Sequence, residues 1–346
     1  MGAPFGFHRW LAIAAVMAGV ALPAHGETDV AGPAPSLAFP VDCKLSDTCF
    51  IQFHVDLAPG PEIGDYKCAR LTYDGHKGTD IRLPDYPSMR AGVAVLAATD
   101  GVVRAIREGE PDISLDVRGM DDLGGKDAGN AVVIVHSEGW ETQYSHMMRG
   151  SVVVKAGDQV KQGQVLGKIG LSGRSNFPHL DFSVRRKGEI IDPFLGGEPN
   201  MNCERLGSSL WTEAARAIMP YQPGGVLLAG FASVEPDKTA VRDGASRALT
   251  FTSDAPLLVF YTDVYGILAG DRETLIITAP DGREFARHEG VLETDMPQRF
   301  TYARKKRPRQ GWQSGLYRGE YRLTRIVGGE TRVIATTTRE ATISER

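Results

Sequence analysis

Two short clusters of ligand-type residues constrain this chain more than any other feature: His76-Lys77-Gly78-Thr79-Asp80-Ile81 and, far downstream, His179-Leu180-Asp181. Each sets an imidazole near a carboxylate. Together they hold the parts of a metal site with three protein ligands and an open fourth position, the arrangement of a catalytic rather than a structural zinc. The need for these residues to meet dictates the fold around them. In a fully extended strand His76 and Asp80 would face the same way but lie about 13 Å apart. Ligands of one zinc each sit about 2 Å from it. The segment must therefore bend, and Gly75 and Gly78 are where it can. A helix would also bring positions four apart together, but Gly78 and the Asp74-Gly75 pair argue against one. His179 and Asp181 share one face of a strand, with Leu180 and Phe182 turned to the core. Pro178 suits the entrance of that strand rather than its interior.

The rest of the chain reads as β structure. Ala94-Val95-Leu96-Ala97-Ala98 leads through Asp100-Gly101 into Val102-Val103-Arg104-Ala105-Ile106, a hairpin pattern. Ala131 to His136 and Thr142 to His146 are strands joined by the turn Ser137-Glu138-Gly139. The Gly- and Asp-rich stretch from Gly109 to Gly129 is a long loop of the kind that carries function. Leu210 to Met219 predicts one helix, a connector. Beyond it, short strands alternate with turns such as Pro280-Asp281-Gly282 and Gly328-Gly329, the pattern of a β-sandwich. That part holds a single histidine, His288, and offers no catalytic cluster. A length of 346 residues suits two domains.

The N-terminus reads as an export signal: His8-Arg9, an apolar run from Trp10 to Leu22, then Pro23-Ala24-His25-Gly26 with cleavage after Ala24 or Gly26. The run is shorter than the ~20 residues that span a bilayer, so no integral membrane segment is expected after cleavage. Export makes Cys43, Cys49, Cys68 and Cys203 read as two disulfides rather than as thiol ligands. Three connectivities are open. Cys43–Cys49 with Cys68–Cys203 is favoured, because the second bridge ties the two ends of the segment that holds the metal candidates. The formal charge of −4 gives no global electrostatic case for nucleic acid. Arg304-Lys305-Lys306-Arg307-Pro308-Arg309 reads as a solvated loop.

From Tyr73 to Phe194 the chain resembles the peptidase M23 (LytM/lysostaphin-like) family of zinc endopeptidases, which cut peptidoglycan peptides. Four blocks carry the resemblance in order: Gly75-His76-Lys77-Gly78-Thr79-Asp80; Gly129-Asn130-Ala131 through His136; Thr142-Gln143-Tyr144-Ser145-His146; and Val154-Lys155-Ala156-Gly157-Asp158-Gln159-Val160 running on to His179-Leu180-Asp181. The resemblance implies that His76 and Asp80 are zinc ligands. It implies that His146 and His179 do not bind metal but act as general base and stabilise the developing oxyanion. The family's third ligand is the second histidine of a His-x-His pair, and here that position is Asp181. A carboxylate reaches zinc at about the same distance as an imidazole. It also removes one positive charge from the site, which makes the metal a weaker Lewis acid and less selectively zinc. His136 is expected to hold a strand end, and His54 and His288 to be ordinary. Val154 to Gly170 also resembles the hairpin of biotinyl domains, but the Met-Lys-Met they modify is missing.

The expected protein is all-β: signal peptide 1–26, disordered lead-in 27–40, an M23-type antiparallel β-sheet domain at 41–205, a connector 206–222 and an immunoglobulin-like sandwich at 223–346. The expected function is zinc-dependent cleavage of peptidoglycan crosslinks in the periplasm or outside the cell, with an envelope protein as partner of the C-terminal domain. The alternative is a catalytically degenerate M23-like protein that binds wall or regulates amidases.

Overall fold

Residues 33–119, 123–198 and 208–345 are described in a computed structural model of the chain. The signal segment 1–26 lies outside these residues. In the first part the strands are β1 (Phe50–Phe53), β2 (Thr79–Arg82), β3 (Ala94–Leu96), β4 (Gly101–Arg107), β5 (Asn130–Val135), β6 (Trp140–Met147), β7 (Gln159–Val160), β8 (Val165–Lys168), β9 (His179–Arg186) and β10 (Glu189–Ile191). One antiparallel sheet runs β1-β2-β9-β6-β5-β4-β7, with β10 added on β9. Its buried face carries Val132, Ile134, Tyr144, Leu180, Phe182 and Val184, one from every second position of β5, β6 and β9.

The β5–β6 hairpin forms as the turn at Ser137-Glu138-Gly139 implies. The expected β3–β4 hairpin does not. β3 pairs with β8 in a separate two-stranded sheet, while β4 pairs with β5 and β7. The link between β3 and β4 is tied elsewhere: Ala97 N–H donates to the Gln164 carbonyl and Ala98 N–H to the Tyr144 hydroxyl, both at 2.8 Å. Residues 33–40, expected at the end of a disordered lead-in, are anchored. Leu37 is fully buried and its N–H donates to the Leu210 carbonyl at 2.8 Å.

The expected helix is α3 (Glu213–Ile218), capped by Thr212. It is not alone. α1 (Tyr86–Ala91), α2 (Leu115–Arg118) and α4 (Lys238–Arg242) start at Asp85, Ser114 and Asp237, whose side-chain oxygens accept from N–H groups of the first turn. α2 lies within the Gly109–Gly129 stretch. Among the described residues no helix is long and apolar enough to cross a membrane. Cys43 and Cys49 are bridged, as expected. Cys68 is disulfide-bonded too, while Cys203, its expected partner, lies outside the described residues.

The second part holds β11 (Gly225–Ala232), β12 (Thr250–Thr252), β13 (Leu257–Ile267), β14 (Arg272–Thr278), β15 (Glu284–Val291), β16 (Met296–Lys306), β17 (Gly315–Val327) and β18 (Glu330–Ser344). They form two sheets, β11-β13-β16 and β12-β18-β17-β14-β15. Phe231, Phe260 and Val264 of the first share one core with Leu275, Ile277, Tyr317, Tyr321 and Leu323 of the second. The basic run is not all loop: Arg304, Lys305 and Lys306 end β16, and Arg304 pairs with Glu235.

The first core extends beyond the expected boundaries, from Leu37 to Trp211, Ala215 and Met219. A separate small cluster of Phe50, Leu71, Leu227 and Tyr265 joins the two parts. From Pro33 onward the described residues pack as one compact unit.

Candidate metal centre

The site grows from the position of β9 between β2 and β6. Asp80 lies directly opposite Asp181 in the β2–β9 ladder, and Ser145 lies opposite Asp181 on the other side. Strand alternation puts His179 and Asp181 on one face while Leu180 and Phe182 are fully buried on the other. His76 joins them because the chain turns back at Gly75, where φ is 71° and the His76 N–H donates to the Tyr73 carbonyl at 3.0 Å. Gly78 plays a different part from the expected bend. A Cβ there would meet Asp181 Oδ1 at 1.8 Å, so its missing side chain is the space the carboxylate occupies.

One ligand atom from each of His76, Asp80 and Asp181 lies within 4.8 Å of the other two. His76 Nδ1 is 2.7 Å from the His54 carbonyl. A carbonyl only accepts, so Nδ1 carries the proton and Nε2 presents its lone pair. That lone pair faces Asp80 Oδ1 at 3.1 Å. Two buried acceptors do not face each other without a proton or a cation between them. Burial opposes charge on His76, but the Asp80 carboxylate outweighs it and lifts the imidazole to about 9. Burial also penalises ionised Asp80, yet His76 and His179 hold it down to about 2. Burial, and after it the Asp80 charge, pushes Asp181 up. One imidazole and two carboxylates fit zinc in donor type and number.

Two further histidines stand beside the trio. The His146 and His179 rings are 4.5 Å apart, centroid to centroid. His146 Nδ1 is 2.7 Å from the Ser172 carbonyl and His179 Nδ1 is 2.9 Å from the Phe177 carbonyl. By the same reasoning each Nε2 is left to take or give a proton. His179 Nε2 lies 3.6 Å from Asp80 Oδ1. Desolvation lowers His179 to about 4, which keeps it neutral near pH 7.

His146 reaches this group by a local distortion. Tyr144 pairs with Phe182 on the core face and Ser145 with Asp181 on the site face, so simple alternation would return His146 to the core. Instead His146 has φ of 61°, in the left-handed region, and its ring meets His179. Such a conformation costs a non-glycine residue about 1 kcal/mol.

Residues 74–193 match the family model described as peptidase family M23. This stretch is an M23 peptidase domain. The chain is 34% identical over 122 residues to the DD-carboxypeptidase/endopeptidase Mpg of Neisseria meningitidis, covering 35% of this chain and 23% of that protein. It is 35% identical over 118 residues to the peptidoglycan DD-endopeptidase ShyC of Vibrio cholerae, covering 34% and 22%. It is 32% identical over 124 residues to the cell division protein DipM of Caulobacter vibrioides, covering 34% and 17%. The chain thus spans between 17% and 23% of the length of these relatives.

All five residues singled out in the sequence come together in the M23 domain. His136 does not join them; its Nδ1 lies 2.7 Å from the Asp100 carbonyl and its Nε2 3.0 Å from Thr142 Oγ1, at a strand end. What sequence reasoning missed is the frame. The carbonyls of His54, Ser172 and Phe177 fix three imidazoles, and the Tyr73 ring stacks on His76 at 4.4 Å. A backbone acceptor leaves no trace in a side-chain pattern. For Tyr73 the signal was present: an aromatic residue three positions before His76, across the Asp74-Gly75 turn.

Proposed function

We propose that the chain is an exported zinc-dependent endopeptidase that hydrolyses peptide crosslinks of bacterial peptidoglycan, in the periplasm or outside the cell. Its M23-type domain (41–205) and connector (206–222) precede an immunoglobulin-like sandwich (223–346). The observation that carries this reading is the convergence of His76, Asp80 and Asp181 beside two histidines whose Nδ1 atoms are already engaged. The peptidoglycan substrate is supported by a relative named as a peptidoglycan DD-endopeptidase, ShyC.

Zinc held by His76, Asp80 and Asp181 supplies Lewis acidity toward the scissile carbonyl and makes water nucleophilic near neutral pH. The chain's own groups handle the protons. Neutral His179 takes a proton from the attacking water at Nε2 and returns it to the leaving amine as the C–N bond breaks. Asp80, 3.6 Å away, stabilises the imidazolium that results. His146, the second imidazole beside His179, stabilises the oxyanion that develops on the substrate. Closure of the site strengthens each of these interactions: His76, Asp80, His146 and His179 are exposed by 5%, 3%, 7% and 4%.

Elemental mass spectrometry of residues 27–346 tests the reading, run with Asp80→Ala and Asp181→His. The expected result is near-stoichiometric zinc in the wild type, lost in Asp80→Ala, with hydrolysis of crosslinked muropeptides. The replacement of a family histidine by Asp181 also supports a second reading, a silenced domain that binds wall or regulates amidases, with an envelope protein docked on the C-terminal sheets. No metal in the wild type but metal in Asp181→His would select it.

A further inference from the structure

Arg82 ends β2 two residues beyond Asp80 and lies opposite His179 in the β2–β9 ladder. It is 1% exposed. Its hydrogen bonds go to the Leu83 carbonyl at 3.2 Å, to Gln52 Oε1, and to Gln298 Oε1 at 3.2 Å. None of these acceptors carries a charge. The answering carboxylate is one step further on. Gln298 Nε2 donates to Asp263 Oδ2 at 2.7 Å, and Asp263 is fully buried and clasped by Arg242. Gln52 also reaches across, its Nε2 donating to the Pro297 carbonyl at 3.2 Å. Gln52 and Arg82 belong to β1 and β2. Pro297 and Gln298 belong to β16, and Asp263 to β13. A buried charge must be compensated by groups placed around it. For Arg82 part of that compensation comes from the other half of the molecule.

The same side chain is built into the site. The guanidinium carbon lies 4.2 Å from the centre of the Phe177 ring. That ring is 4.7 Å from the ring of His179, and the Phe177 carbonyl holds His179 Nδ1. A continuous path therefore runs from β16 through Gln298, Arg82 and Phe177 to His179. Its first link crosses the seam and its last sets the direction of Nε2.

We propose that Arg82 is a positioning residue for the peptidase reaction, and that the β11-β13-β16 sheet, through Gln298, braces it from across the seam. The role in catalysis rests on the endopeptidase reading, whereas the brace itself can be tested without turnover. Gln298→Met keeps the shape of the side chain and removes its hydrogen bonds. Arg82→Lys keeps the charge and removes the planar fork. Both are made in the full chain loaded with zinc. For each, kcat and KM on crosslinked muropeptides, zinc content, Tm and the side-chain 15N resonances of His179 are measured. The expected result, with all assays run well below Tm, is a fall in kcat of about tenfold, the order that a slightly displaced catalytic group costs, with KM and zinc content unchanged, Tm lowered and the His179 resonances shifted. Wild-type kcat and unmoved His179 resonances in both variants would overturn the brace. So would a fall in kcat that merely follows a loss of zinc or of folded protein at the assay temperature. Should Gln298→Met fail to fold, Arg82→Lys decides alone. A wild-type protein without hydrolytic activity sinks the endopeptidase reading instead, and the His179 resonances then still report on the brace.

Discussion

At Gly78 a hydrogen in place of a side chain decides whether the two carboxylates can share a site. The Asp181 oxygen fills the position of the missing Cβ, at 1.8 Å. Gly78→Ala must push either the carboxylate or β2 aside. Its zinc affinity, read by competition with a chelator, is expected to fall at least about tenfold, or about 1.4 kcal/mol. An unchanged affinity would mean that Asp181 is not a ligand. The five polar side chains of the site were legible because their chemistry is carried by residue type in short blocks. Arg82 was not, since a charged residue next to Ile81 on a strand reads as turned to solvent. Nor was the left-handed turn at His146, because alternation from Tyr144 points the other way.

At the scale of elements, local pairings were legible and distant ones were not. The short turn between β5 and β6 announces its own hairpin. The partner of β3 is β8, more than sixty residues on, and nothing in Ala94-Val95-Leu96 names it. The helices α1, α2 and α4 span four to six residues, too short for a periodic apolar stripe, so only their caps marked them. The turn after β10 has its own acid. Asp192 Oδ1 accepts from the Phe194 and Leu195 N–H groups at 2.8 Å, while Oδ2 is buried without a partner. Burial outweighs those two bonds and raises the carboxyl from 3.8 to about 7. The folded state therefore holds this proton more tightly than the unfolded chain does. Its contribution to stability is complete below pH 3.8 and is lost as pH rises through about 7. Over that window the slope from this group approaches 1.4 kcal/mol per pH unit, about the value of one proton. Asp192→Asn should flatten it. Urea unfolding of both proteins from pH 4 to 8 checks this, and parallel curves would refute it.

For the molecule as a whole, the sequence length suited two domains, and the buried apolar side chains of the described residues gather into two large clusters and three small ones. The seam between the two large ones was not visible beforehand, because Leu71 and Leu227 differ in no way from other apolar residues until Phe50 and Tyr265 close over them. With that cluster and the Arg82 network in place, residues 33–346 should unfold in one calorimetric transition. Leu71→Ala, at a buried position, should cost about 3 kcal/mol and split the transition in two. Two transitions already in the wild type would show that the halves are independent.

The pairing of Asp80 with Asp181 has a bearing on how the chain reaches its fold. Side chains on a strand alternate, so a slip of β2 by one residue along β9 would send Asp80 to the far face and set a neighbour against Asp181. Only the correct alignment makes a place for a metal ion, and binding stabilises that alignment by mass action. A metal that bound here would favour that one pairing over its one-residue slips.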